Sequence, residues 1–149
     1  YDLLISIYVI EHFNKIELDY FLNNIKDAAK KYIFIINFTD QFFLDQWKQK
    51  NDIYKFKYLQ YSDFLWNIIN SKFLYQSRNR INDFIHLFEE NGFKILNIKK
   101  CDNFCNEIND EWYSDNFYKN MKIDKKFINY KYSELFTPTG VFIIENKNA

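Results

Sequence analysis

Glycine and proline are nearly missing from this sequence. Its 149 residues hold two glycines, Gly92 and Gly140, and a single proline. That poverty excludes a Pro/Gly-rich disordered chain and a Gly-rich sandwich of short strands. Cysteine is almost as scarce. Cys101 and Cys105 stand alone in a C-x3-C spacing, and the two histidines, His12 and His86, lie far from them in sequence. A structural zinc site needs four ligands, which this set does not offer. Two reduced thiols are expected, as in a cytoplasmic protein. Excess charge of either sign is also lacking. Twenty basic residues balance twenty acidic ones, and the sequence pI is about 6.9. A large polyanion-binding surface, and nucleic acid as a partner, are not implied. No apolar run approaches the roughly 20 residues of a membrane span, and no signal peptide is visible.

Aromatic side chains are plentiful, at 21% of the residues. The length fits one domain, residues 1–149, large enough to bury roughly 70% of its unfolded-chain surface. The chain is organised around its opening stretch. Leu3 to Val9 is apolar except for Ser6 and rich in β-branched and aromatic residues. That pattern predicts a strand buried on both faces, as in the middle of a parallel sheet. Glu11 and His12 follow it directly. In open α/β sheets, ligands bind just beyond the carboxyl ends of the strands, so a carboxylate beside an imidazole is well placed for chemistry.

A helix comes next. Asn14 with Glu17 three residues on reads as a capping box, and Phe13 and Leu18 occupy the staple positions. Leu18, Phe21, Leu22, Ile25, Ala28 and Ala29 form one apolar face. Glu17 and Asp19 fall in the first turn, Lys30 and Lys31 in the last, as the helix dipole favours. Tyr32–Phe38 is a second strand of the buried type. Strand, helix, strand over this length predicts a parallel βαβ unit.

Thr39 to Tyr61 mixes aromatics with lysines. The stretch is read as an insertion whose aromatics pack down while its lysines face water, in preference to a base-stacking surface. Ser62 caps a short helix carrying Phe64, Leu65, Ile68 and Ile69. Ile81, Phe84, Ile85 and Phe88 then repeat at helical spacing, and Gly92 ends that helix with Phe93 reaching back to Phe88. Phe93–Lys100 reads as a strand whose lysines suit a sheet edge. Residues 101–138 read as loop with a helix near Asp110 to Met121, and Gly140–Glu145 as a final strand.

The run Asp2-Leu3-Leu4-Ile5-Ser6, followed by Val9-Ile10-Glu11-His12-Phe13, resembles the fourth strand and following turn of a class I S-adenosylmethionine-dependent methyltransferase. Asn79-Arg80-Ile81, with Leu87-Phe88-Glu89-Glu90-Asn91-Gly92-Phe93, resembles the helix before that family's sixth strand. The version is the one common among small-molecule and surface-glycan methyltransferases. The resemblance covers most of residues 1–100 and, more weakly, 132–147. It implies an α/β fold: a partial Rossmann-like sheet of about four strands. The last strand would be antiparallel, inserted between the second and third. One part of the family pattern has no counterpart. Its cofactor rests on a glycine-rich turn after the first strand, where only glycine allows so close an approach, and both glycines of this chain have other duties. The resemblance therefore implies the C-terminal half of such an enzyme.

It also implies roles for particular residues. Ser6, Ile7 and Tyr8 would border the methionine part of S-adenosylmethionine, the cofactor of the complete enzyme. His12 would act as general base on an acceptor hydroxyl, since imidazole titrates near neutral pH, and Glu11 would orient it or hold the acceptor. Thr39, Asp40, Tyr75, Asn79 and Arg80 would line the acceptor side. Each has a plainer alternative: strand packing for Ser6–Tyr8, a helix-capping turn for Glu11 and His12, a solvated helix-start charge for Arg80. His86, on the second long helix, reads as structural or exposed. Two functions stay open: methyl transfer to a small-molecule or glycan acceptor within a longer chain, and a non-catalytic methyltransferase-like interaction module. The first strand would also carry an unpaired apolar edge with no Lys or Pro to blunt it, which favours self-association.

Overall fold

The computed structural model describes residues 1–39, 52–70, 75–102, 106–108 and 121–147. Its frame is a four-stranded mixed sheet. Strand β1 (Leu3–Ile7) is followed by helix α1 (Lys15–Ile25) and strand β2 (Lys31–Asn37). Helices α2 (Asp63–Ile69) and α3 (Ile81–Glu90) lead to strand β3 (Phe93–Cys101). A short helix α4 (Tyr132–Leu135) precedes strand β4 (Thr139–Asn146). The sheet order is β1-β2-β4-β3. β1 and β2 are parallel, as the βαβ pattern requires, and β4 runs antiparallel to both β2 and β3. The expected insertion of the last strand between the second and third is therefore present.

Helix α1 starts where its sequence says. Asn14 Oδ1 accepts from Glu17 N at 3.0 Å, and Glu17 Oε2 accepts from Asn14 N at 2.9 Å. It ends earlier than the apolar periodicity predicts, and Lys30 and Lys31 lie beyond its last turn. The cause is Tyr32. Its buried hydroxyl lies 2.6 and 2.7 Å from the carbonyl oxygens of Ile25 and Lys26 and accepts from Ala29 N. These bonds occupy the carbonyls at the helix end and turn the chain into β2.

Both long helices cover the same face of the sheet. Leu18 and Leu22 of α1, with Phe84 and Phe88 of α3, pack on Tyr32, Phe34, Ile36, Phe93, Phe142 and Ile144. Gly140, inside β4, belongs to this packing. A Cβ there would lie 2.8 Å from the ring of Phe38 and 2.9 Å from that of Phe142. Gly92 has φ +85°, the left-handed conformation that ends α3. On the opposite face β1 is exposed, and this corrects the expectation that it is buried on both faces. Leu3, Ile5 and Ile7 are 46%, 54% and 54% exposed. They sit at one end of a row that continues through Ile33 and Ile35 to Ile143 and Val141.

A second apolar cluster gathers Phe56, Tyr58, Leu59, Trp66, Phe127, Leu135 and Phe136. Phe56 and Tyr58 are fully buried, so this part of the insertion packs its aromatics inward as expected. Ser62 caps α2 by accepting from Leu65 N, although Phe64 and Ile68 point to water. Cys101 is buried. Asp40, Cys105 and the helix expected near Asp110 lie outside the described residues.

Candidate functional site

The carboxyl ends of β1 and β2 lie side by side, and the chain breaks pattern there. Tyr8 takes φ 54°, uncommon for a residue with a bulky side chain. Its N–H still donates to Ile35 O at 2.8 Å, so the strand is held to its last bond before it turns. Ile10–His12 then form one tight 3-10 turn. This turn puts Glu11 inside the fold, at 1% exposure. Glu11 Oε1 accepts from Asn37 N at 3.3 Å, and Oε2 has no partner among the described residues. Burial raises the Glu11 carboxyl above its ordinary range, against smaller opposing pulls from backbone N–H groups and from His12.

The sign of the consequence follows from linkage. A carboxyl whose folded pKa is raised binds its proton more readily when folded, so its contribution is most favourable in acid. It is lost as pH rises through the unfolded value toward the folded one. Urea denaturation of the wild type and of Glu11→Gln between about pH 4.5 and pH 7 should show the wild type losing ground to the variant as pH rises. Parallel pH profiles would mean that Glu11 is not held in a desolvated place.

His12 faces the other way and is half-buried. Its Nδ1 lies 2.8 Å from Tyr75 O. A carbonyl oxygen only accepts, so Nδ1 carries the proton and the neutral ring keeps its lone pair on Nε2. The partner carbonyl comes from a segment that sequence reasoning passed over. Residues 75–80 run as a strap across the ends of both strands. Ser77 N donates to Glu11 O at 2.7 Å, and Gln76 Nε2 donates to Thr39 O at 2.6 Å. Asn70 Oδ1 accepts from Gln76 N at 2.8 Å. Arg78 donates to the carbonyls of Tyr58 and Tyr61 and to Asp63, with its guanidinium over the rings of Trp66 and Phe127. Gln76, Ser77 and Arg78 are all buried. The run Gln76-Ser77-Arg78 just ahead of a helix start is the one signal in the sequence that could have marked the strap.

The remaining sequence-derived residues divide clearly. Ser6 is half-buried on the covered side of β1, whereas Ile7 and Tyr8 are exposed at its end. Tyr75 and Asn79 are half-buried on the strap. Thr39 is buried, and both its N–H and its hydroxyl donate to Asn37 Oδ1, at 2.9 and 2.7 Å. Arg80 is fully buried and is no solvated helix-start charge. Its guanidinium donates to the carbonyls of Phe38 (3.1 Å), Leu135 (2.8 Å) and Thr137 (3.3 Å), and to the Tyr58 hydroxyl. It thus joins the sheet core to the second cluster. His86 is exposed.

Among the described residues, no cluster of His, Cys, Asp and Glu could hold a metal ion, and no helix is long and apolar enough to cross a membrane. Comparison of the chain with protein-family models, with characterised proteins and with solved structures finds no match.

Proposed function

We propose that this chain is the C-terminal part of an S-adenosylmethionine-dependent methyltransferase acting on a small-molecule or glycan acceptor. The observation that carries the reading is the fixed tautomer of His12. Its Nε2 has no partner among the described residues and, at the carboxyl end of a parallel strand pair, can take up an acceptor proton. The antiparallel last strand, lying between β2 and β3, supports the same reading, because it is the order the methyltransferase resemblance implies. The chain's own residues supply one wall of the cofactor site, Ser6 to Tyr8, and no cradle. Gly92 and Gly140 are committed to a helix end and to the packing of Phe38 and Phe142, so the glycine-rich turn is to come from residues upstream.

Bound S-adenosylmethionine would bring a methyl group that is already activated. What falls to the protein is alignment and the uptake of one proton. His12 Nε2 would take up the proton that an acceptor hydroxyl releases when the methyl group leaves sulfur for the acceptor oxygen. Tyr75 O holds the ring in orientation, and Thr39 and Asn79 lie on the acceptor side. The chain is cytoplasmic in this reading.

The test is twofold. The complete reading frame should encode a glycine-rich strand-turn-helix upstream, and its product should transfer labelled methyl from S-adenosylmethionine. Residues 1–149 alone should bind the cofactor at best very weakly by calorimetry. Micromolar binding by this stretch alone would mean that the cofactor site has been misplaced. A reading frame without the turn, whose product shows no binding, would leave the non-catalytic interaction module.

A further inference from the structure

The strap at residues 75–80 is also held by the residue that follows α2. Asn70 meets Gln76 with both ends of its side-chain amide. Oδ1 accepts from Gln76 N at 2.8 Å, and Nδ2 donates to Gln76 O at 3.1 Å. The reversed amide would set donor against donor and acceptor against acceptor, so its orientation is settled. Asn70 N donates to Trp66 O at 2.7 Å, which ties the residue to α2 and, through the buried Trp66, to the second cluster. Gln76 N belongs to the same peptide unit as Tyr75 O. That unit is planar, and no cis peptide bond occurs among the described residues, so its C=O and N–H point in opposite directions. One side of the plane is bonded to Asn70, and the other meets His12 Nδ1 at 2.8 Å.

We propose that Asn70 is a positioning residue: by holding the Tyr75–Gln76 peptide plane, it decides which nitrogen of His12 carries the basic lone pair. If the plane turned over, Gln76 N–H would replace Tyr75 O beside the ring. Nδ1 would then accept, the proton would sit on Nε2, and Nε2 would be a donor with no lone pair to offer. The other bonds of the strap do not set this choice. Those from Gln76 Nε2 to Thr39 O and from Ser77 N to Glu11 O fix where the strap lies. They leave the plane between Tyr75 and Gln76 free to turn about its two flanking bonds. The bond to Asn70 also polarises the Tyr75 carbonyl, as in any chain of hydrogen bonds, and so strengthens its hold on the Nδ1 proton. The consequence for catalysis rests on the methyl-transfer reading; the tautomer does not.

Nitrogen NMR spectra of isotopically labelled His12 at about pH 8, where an ordinary imidazole is neutral, test this without substrate or cofactor. In the unchanged chain Nδ1 should show the shift of a protonated ring nitrogen and Nε2 that of a bare one, and the Gln76 amide should exchange slowly. Asn70→Ala should move the tautomer ratio toward a proton on Nε2 by about tenfold, the worth of one hydrogen bond. Gln76→Leu removes a buried side-chain bond from the same strap but keeps the clamp on the plane, and should leave the ratio as it is. Thermal melts show whether each variant folds, and the spectrum of the unchanged chain stands as a test if one does not. A proton on Nε2 in the unchanged chain would overturn the proposal. So would a ratio untouched by Asn70→Ala, or moved equally by Gln76→Leu. In the complete chain Asn70→Ala should lower kcat by up to about tenfold, with KM for the acceptor little changed. A shifted tautomer with unchanged turnover would count against His12 as the base and leave Asn70 as the residue that sets the tautomer.

Discussion

Replacing Arg80 by methionine is expected to cost the fold roughly 3–5 kcal/mol, because several buried acceptors each lose their donor at once. The guanidinium is fully buried and satisfies the carbonyls of Phe38, Leu135 and Thr137 together with the Tyr58 hydroxyl. Methionine fills similar space but donates nothing. Each orphaned buried acceptor then carries a desolvation penalty of roughly 1–3 kcal/mol. The planar fork also lies 4.8 Å from the ring centroid of Phe38 and 5.7 Å from that of Phe56, contacts that a lysine ammonium cannot reproduce with the same bonds. Lysine at this position should therefore recover only part of the loss. Because domains are stable by roughly 5–15 kcal/mol in all, the methionine variant should be close to unfolding at room temperature. Urea denaturation followed by circular dichroism checks this, and a loss below about 1 kcal/mol would mean that Arg80 is not the joint between the two cores.

The second large effect is on activity, in the complete chain. His12→Gln should lower kcat by roughly 10²–10⁴-fold, the usual worth of a positioned general base. Glutamine can still donate to Tyr75 O and hold the turn, but it offers no basic lone pair. KM for the acceptor and the affinity for S-adenosylmethionine should change little, since the loss falls on a step made only in the transition state. A drop in kcat of less than about fivefold, with intact cofactor binding, would reduce His12 to a residue that fastens the strap.

How far the sequence discloses this arrangement depends on the range of each interaction. The cap of α1 was legible because Asn14 and Glu17 are three residues apart and satisfy each other. The parallel pairing of β1 and β2 followed from a local strand-helix-strand pattern. The exposure of Leu3, Ile5 and Ile7 did not follow, because an apolar run states that a strand can be buried and not which layers cover it. Both long helices lie on one face, and no periodicity within β1 announces that. The early end of α1 was hidden because a phenol from the next strand captures its last carbonyls. Glu11 and His12 were placed by position at a strand end. Their opposite environments, one buried and one half-open, come from the strap at residues 75–80, distant in sequence. Arg80 was read as lining the acceptor side or as a solvated charge, and its burial was hidden because its partners are mostly backbone carbonyls, which any sequence possesses.

The position of β2 has a consequence for when the sheet becomes whole. β1 reaches β2 through a short local crossover, but the other side of β2 waits for β4. Lys31 pairs with Glu145, and Asn37 with Thr139. Long-range pairings of this kind are slow, because the loop between the partners must be closed before any ladder bond rewards it. On a growing chain, β1, α1 and β2 can assemble early. The aromatic strand Tyr32–Ile36 would then have one flank bare until the last strand in chain order arrives. Maturation of this fold is thus timed by its final strand, and the interval before that strand docks is when a chaperone would find the most to hold.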